Sequence, residues 1–574
     1  MSFKVGVGKS DFEALRKSDD YYVDKTDILY ELVEEKDNQV TLFTRPRRFG
    51  KTLMMSMMSN FFSITKDGRA IFEGLKITEY KEFCGKWMNR YPVLFLSFKD
   101  VEAENFEGAY DMLEARLSEV CIEQAALKSD SKVNRNDVAT FERLEAQKGT
   151  RADVKNSLKT IMRMMHAVYG KKVILLLDEY DVPLAAASEK DTAENKYYPS
   201  MLDVIRGIMS TALKDNEFLE FAVITGCLRL AKASIFTGTN NFASYSVLDD
   251  DFSGYFGFSR EEVEAMLSAA DREDKADLIK EWYDGYVFGD SCVYCPWDVM
   301  NYMSALRKRK DAMPKNYWKF TSHNGILLAF VERTDFDVTE KFEALLNGGT
   351  VTQSISDELT YGMLQTSEDN LWSVLLMTGY LTKADAEEEG ERVSLKIPNK
   401  EIASIFQDTV VAYFQNTVDA SEIVSLIHAL WESDETEATR LISALLWYTI
   451  SYNDYHEDYY HAFLAGIFVG QGYHVESNKE KGLGRPDILI KDRRNRRAII
   501  IEAKKSKKES DMDRDCDKAI SQIIDERYSE GLYGYTQILC YGVAFFQKQA
   551  KVKKWAESYW PDGRKGNDNA EQGE

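Results

Sequence analysis

The sequence predicts an α/β protein. A parallel sheet carrying a phosphate-binding loop comes first, then a helical middle with a winged-helix-like unit, then a second α/β part at the C-terminal end. Three observations predict it. Arg45–Thr52 (RPRRFGKT) lies between the apolar run Val40–Thr44 and a helix that opens with Leu53–Met58 (LMMSMM). Further apolar runs, Tyr91–Phe98, Val173–Asp178 and Phe221–Thr225, alternate with helical stretches, the pattern of parallel strands covered on both faces. Near the end, Asp487 and Glu502 stand at the ends of two short apolar runs, where adjacent strands would bring them together.

Composition sets the limits. A chain of 574 residues exceeds one core and suggests three or four domains. Seven cysteines, an odd and scattered set, point to a reducing compartment rather than a disulfide framework. No apolar run is long enough to span a bilayer, and the opening MSFKVGVGKSDF lacks a signal-peptide core, so a cytoplasmic protein is expected. The net charge of -22 argues against general nucleic-acid binding, which draws on Lys and Arg. Lys491–Arg497 and Lys504–Lys508 are the basic exception.

The elements follow in order. A triphosphate needs backbone N–H groups, a helix N-terminus and a cation, which Gly50 and Lys51 at the start of a helix supply. Thr52 offers a hydroxyl to magnesium. The usual spacing would put a first glycine at position 45, where Arg45 stands, and Arg47 and Arg48 would add charge. Helices are expected over Ala109–Leu127 and Val154–Tyr169. Val173–Asp181 (VILLLDEYD) then places Asp178 at the end of a central strand, where it can hold magnesium through water while Glu179 polarises the attacking water. Thr225, ending the next strand, is placed to sense the γ-phosphate, and Arg229 to reach the nucleotide. Domain limits are expected at 1–258, 259–450 and 451–560, with a polar tail at 561–574. Helices should dominate Ser259–Leu446. Within it, a buried helix over Leu371–Leu381 is followed by strands Tyr380–Lys383 and Arg392–Ile397, joined by the acidic turn Asp385–Gly390.

In the last part Gly482–Asp487 leads into Ile488–Ile490, and Ala498–Ile501 ends in Glu502-Ala-Lys504. Asp487 and Glu502 can share a hard divalent ion, and alternation puts Lys504 on the face of Glu502. The ion would activate water against a phosphodiester while Lys504 orients that water or stabilises charge. Glu457 could complete the metal shell and Gln522 could position substrate, with the basic turn beside them as phosphate footprint. Cys292 and Cys295 have metal spacing without a second pair, so no zinc site is expected. His456 and His461 read as helix packing.

Several stretches resemble a bacterial AAA-ATPase-like family whose members often end in a PD-(D/E)XK nuclease-superfamily domain. They are YYVDKTDIL, RPRRFGKTL, LLLDEYDVPL, ITG with IFTGTNNF, and WYDGYVFG, then YHAFLAGIF, GLGRPDILI, IIIEAK and AISQI…RY. The resemblance implies an AAA-like P-loop NTPase sheet, a helical and winged-helix middle, and a restriction-endonuclease-like α/β domain. It also puts Arg45 in keeping with the loop. By it Lys51 and Thr52 bind ATP and Mg2+ (or Mn2+), Asp178 and Glu179 form the Walker B pair, and Asp487, Glu502 and Lys504 the nuclease core. Nucleic acid is the implied partner, DNA before RNA, in defence or mobile-element biology. A homo-oligomer is an option, since Arg47, Arg48 or Arg229 could act across a subunit boundary. The alternatives are a nucleotide-dependent regulatory switch that grips nucleic acid or a partner without cutting, and a scaffold that binds ATP without hydrolysing it.

Overall fold

The computed structural model describes residues 3–35, 38–191, 195–229, 235–236, 241–318, 348–356, 368–384, 392–406, 420–449, 474–477, 486–529 and 534–555, with isolated positions between 341 and 532. The chain divides into two units: Met1–Thr321 with Thr352–Ile402, and Ser322–Val351 with Ala403–Glu574.

In the first unit β1 (Val40–Thr44), β2 (Val93–Ser97), β3 (Val173–Asp178), β4 (Leu219–Gly226) and β5 (Phe242–Tyr245) form one parallel sheet, ordered β2-β3-β4-β1-β5. Every residue of β1 and β3 is buried, as apolar runs covered on both faces require. The four predicted strands are present. The fifth, β5, was not expected, because Phe-Ala-Ser-Tyr is only half-buried throughout and carries no apolar run. β4 lies between β1 and β3, so the loop after β1 and the carboxylate ending β3 flank Thr225. Helix α1 (Lys51–Phe62) runs directly out of the loop and buries Met54, Met55, Met57, Met58, Phe61 and Phe62. Helix α2 (Arg151–Tyr169) starts in a Thr150–Asp153 capping box and stops at left-handed Gly170, both sequence-readable caps. It packs on α3 (Tyr197–Leu213).

Past the sheet, helices Arg260–Ala269 and Ala276–Tyr283 and helix α4 (Pro296–Lys308) surround a core that includes Tyr283, Tyr302 and Met303. Between them sits an unpredicted hairpin, β6 (Tyr286–Phe288) and β7 (Ser291–Val293). Three-residue strands leave no periodic signal. Helix α5 (Glu368–Thr378) ends short of Leu381, because Gly379 turns left-handed at φ 87° and the N–H groups of Tyr380 and Leu381 return to Leu375. Strands β8 (Val351–Ser354), β9 (Thr382–Lys383) and β10 (Arg392–Lys396) form a small sheet ordered β8-β10-β9. The expected helix and its two following strands are present, with β8 as one strand more. The acidic turn Asp385–Gly390 lies outside the described residues.

The second unit carries a mixed sheet in sequential order: β11 (His474–Ser477), β12 (Ile488–Asp492), β13 (Arg497–Lys505), β14 (Gln537–Phe546) and β15 (Gln549–Lys554). Only β13 and β14 run parallel, and helix α6 (Met512–Asp525) makes that crossover. A Cβ on Gly542 would stand 2.2 Å from the Cys516 carbonyl oxygen, so α6 lies against β14 through the absence of a side chain. Among the described residues no helix is long and apolar enough to cross a membrane. The tail at 561–574 lies outside the described residues.

Candidate functional site

The loop 45–50 is shaped by backbone needs and by its own side chains. Gly50 sits at φ 83° with open space where a Cβ would stand, a conformation glycine adopts freely. It caps the N-terminus of α1 and leaves that helix end to an anion. The buried Lys51 ammonium donates to the carbonyls of Arg45 (2.9 Å) and Pro46 (2.8 Å), closing the loop into a ring. Arg45 is fully buried. Its guanidinium donates to the carbonyls of Thr44 and Tyr245 and lies over the rings of Phe256 and Phe288. Burial pulls it well below the usual arginine range, to about 9. Arg47 is exposed. Arg48 takes φ 74° and stacks 3.8 Å from the Trp297 ring.

Asp178 joins the loop to the sheet. It accepts the Thr52 hydroxyl at 2.8 Å on Oδ2 and the Thr225 hydroxyl on Oδ1. Thr225 is thus placed to hold the carboxylate. Glu179 follows in a left-handed conformation, φ 54°. Its burial, then the charge of Asp178, pushes its carboxyl up, the direction that suits a base. Behind it the Tyr180 hydroxyl donates to the Leu228 carbonyl, and buried Asp181 accepts the N–H groups of Cys227 and Leu228 at 2.9 Å each. Gly226 permits this closeness, since a Cβ there would lie 2.6 Å from the Tyr180 ring. Arg229 is half-buried just beyond, its carbonyl taking the N–H of Leu359.

In the second unit the register Ile488↔Ile501 sets Asp487 opposite Glu502. The Asp487 N–H donates to Glu502 Oε2 (3.3 Å) and the Ala503 N–H to Asp487 Oδ2 (2.8 Å). Lys504 Nζ reaches Glu502 Oε1 at 3.3 Å from the same face of β13. Glu502 is 1% exposed. Burial, then the neighbouring Asp487, pushes its carboxyl up, and Lys504 opposes them. Two crowded carboxylates with one ammonium leave an excess of negative charge, and oxygen donors alone suit a hard divalent cation.

Comparisons with known proteins match the stretches that carry the two sites. Residues 6–236 match the family described as Predicted AAA-ATPase, and residues 455–555 match the PD-(D/E)XK nuclease superfamily. The chain carries an AAA-ATPase-like domain followed by a PD-(D/E)XK nuclease-superfamily domain. It is also 24% identical over 499 residues to "Uncharacterized protein in vnfD 5'region" of Azotobacter chroococcum mcd 1, covering 85% of this chain and 87% of that protein. The two domains support a nucleotide-binding, nuclease-like protein.

Around the nuclease-like site, Gln522 on α6 donates to the hydroxyl of buried Tyr528 at 3.1 Å. Tyr528 in turn feels the charges of Glu502 and Asp487. Tyr528 was not singled out from sequence; its signal is the Arg-Tyr pair following the α6 motif. Tyr180, Asp181 and the clamping role of Arg45 were missed as well, because each acts on backbone groups distant in sequence. Glu457, His456 and His461 lie outside the described residues. Among the described residues no cluster of three or more His, Cys, Asp or Glu could hold a metal, and Cys292 and Cys295 are not joined in a disulfide.

One expectation is corrected. The basic turn was placed beside the carboxylates, but Arg493–Arg496 close the β12–β13 hairpin at its far end. Arg497 and Glu502 are five steps apart along β13, roughly 17 Å of strand. There Arg497 pairs with Asp492 and lies over Trp431, and Arg496 donates to the Gly534 carbonyl. The basic run adjoining the site is Lys504–Lys508, where Lys505, Lys507 and Lys508 are exposed.

Proposed function

We propose that the protein binds and hydrolyses ATP at the loop and uses it to control a metal-dependent nuclease that cuts phosphodiester bonds, in DNA before RNA. The observation that carries the nuclease half is the convergence of Asp487, Glu502 and Lys504 across paired strands. The nucleotide half rests on Thr52 and Thr225 meeting on Asp178 beside an open Gly50.

The roles follow from placement. The amides opening α1, with Lys51, take the phosphates, as helix N-termini do. Thr52 and Asp178 are the oxygen donors for Mg2+, and Glu179 accepts the proton of the attacking water. In the second unit Asp487 and Glu502 would hold Mg2+ or Mn2+, with Glu457 a further donor. Bound there, the ion would supply a Lewis acid and an acidified water. Lys504 holds Glu502 in place and offsets developing charge on the phosphate, and Lys505, Lys507 and Lys508 give the backbone an electrostatic seat. Gln522 is assigned to positioning substrate. We assign the protein to the cytoplasm and to defence or mobile-element biology.

The test is direct. Purified protein with Mg2+ or Mn2+, with and without ATP, is offered plasmid, linear duplex and single-stranded DNA, and RNA. Cleavage is expected, lost in Asp487→Asn and Glu502→Gln. Cleavage absent on every substrate, or undiminished in both variants, refutes the nuclease half.

A further inference from the structure

Loop 45–50 is held from outside the family-matched stretch 6–236. Pro46 meets Gly379, where a Cβ would lie 2.9 Å from the proline Cβ. Phe49 sits edge-on to Tyr286, with ring centroids 5.0 Å apart, and against Phe288 at 4.9 Å. Arg48 stacks on Trp297, and its carbonyl takes a long contact from the Cys295 thiol, 3.9 Å. Thus WYDGYVFG and the Cys-Pro-Trp opening of α4, motifs that the proposed chemistry leaves unused, are the socket of the loop.

Behind Trp297 lies an unusual pair. Asp298 and Glu401 are 2% and 1% exposed, and each buried carboxyl lies close enough to feel the charge of the other. Two like charges buried side by side repel, which favours the neutral form of the acids. Glu401 also accepts the N–H groups of Tyr317 and Trp318. The groups facing the pair are Arg48 from the loop, Cys295 at the start of α4, Tyr286 from β6, Tyr283 and Tyr317. Arg48 is the cation among them. Burial pushes both acids up, and the charge of Arg48 draws Asp298 partly back.

We propose that Trp297, at the opening of α4 beside the buried Asp298 and Glu401 side chains, is a positioning residue for nucleotide: it fixes Arg48, and through Arg48 the shape of loop 45–50. This rests on the reading of that loop as the ATP site. An arginine at positive φ is strained, and a ring face under the guanidinium is what holds it there. Ionisation of both acids puts two like charges at the base of α4 and disturbs the same support.

The experiment measures binding of ATP with Mg2+ to the full chain by calorimetry. Trp297→Phe keeps a ring face and Trp297→Leu keeps only bulk, so thermal unfolding midpoints of the two should be close. Trp297→Phe is expected near the parent and Trp297→Leu about fivefold weaker, the scale of a partly buried cation–π contact. Parent affinity falls as pH rises and both acids ionise, and Glu401→Gln, a neutral partner for Asp298, flattens that profile. Equal affinity in Trp297→Phe and Trp297→Leu, or the same pH profile in parent and Glu401→Gln, overturns the proposal while leaving the ATP site standing. A parent that binds no ATP, or binds it equally in Lys51→Ala, brings down the ATP reading and this proposal together.

Discussion

At the scale of single residues, placement decides what each substitution should do. Lys51 is the cation that closes the loop. Lys51→Ala should weaken ATP binding by at least about tenfold, or 1.4 kcal/mol, read by calorimetry. Gly50→Ala forces a side chain into the left-handed region, a strain of about 1–2 kcal/mol, and should cost nucleotide affinity although the space in front of it is open. Glu502→Gln removes charge with little change in volume, so cleavage should drop about a thousandfold while the unfolding midpoint holds or rises. The rise follows from sign: a carboxyl pushed up by burial and by Asp487 is stabilised most when neutral. The chemistry-bearing residues were legible because strands ending in Asp or Glu are local patterns. Asp181 and Tyr528 were not, since their partners lie 46 residues away at Cys227 and at the carboxylates of the neighbouring strands.

Elements show a different balance. Long apolar runs announced β1 to β4, whereas α2, expected from Val154, starts three residues earlier, at Arg151, behind its Thr150–Asp153 cap. The short β6–β7 hairpin and β5 carry too few residues for periodicity to register. The basic turn was misplaced for a geometric reason: it adjoins both strands in sequence, yet a hairpin puts its turn and its open end at opposite ends. Close approach of elements gives a sharper prediction. Gly542→Ala would drive a methyl group against the Cys516 carbonyl. That should destabilise the second unit by about 2 kcal/mol and shift α6, with Gln522, away from the carboxylates. Urea unfolding and cleavage measured together check both parts.

For the molecule as a whole, the proposed function puts two chemistries on one chain, and metal removal should separate them. Chelation is expected to abolish cleavage fully, while nucleotide still binds with reduced affinity because Lys51 and the amides opening α1 remain. The Asp298–Glu401 pair also ties stability to pH. Both carboxyls are raised by burial, so their contribution is complete below about pH 4 and is lost as pH rises through the raised values. The thermal midpoint of the parent should therefore fall toward alkaline pH more steeply than that of Glu401→Gln.

Arg45 also constrains how this loop could have arisen. Its side chain fills the space between Phe256 and Phe288 and satisfies the carbonyl of Tyr245. Reversion to the ordinary glycine would open a void and strand a buried acceptor. A glycine at position 45 is therefore expected to lower the stability of the loop unless the aromatic bracket changes with it.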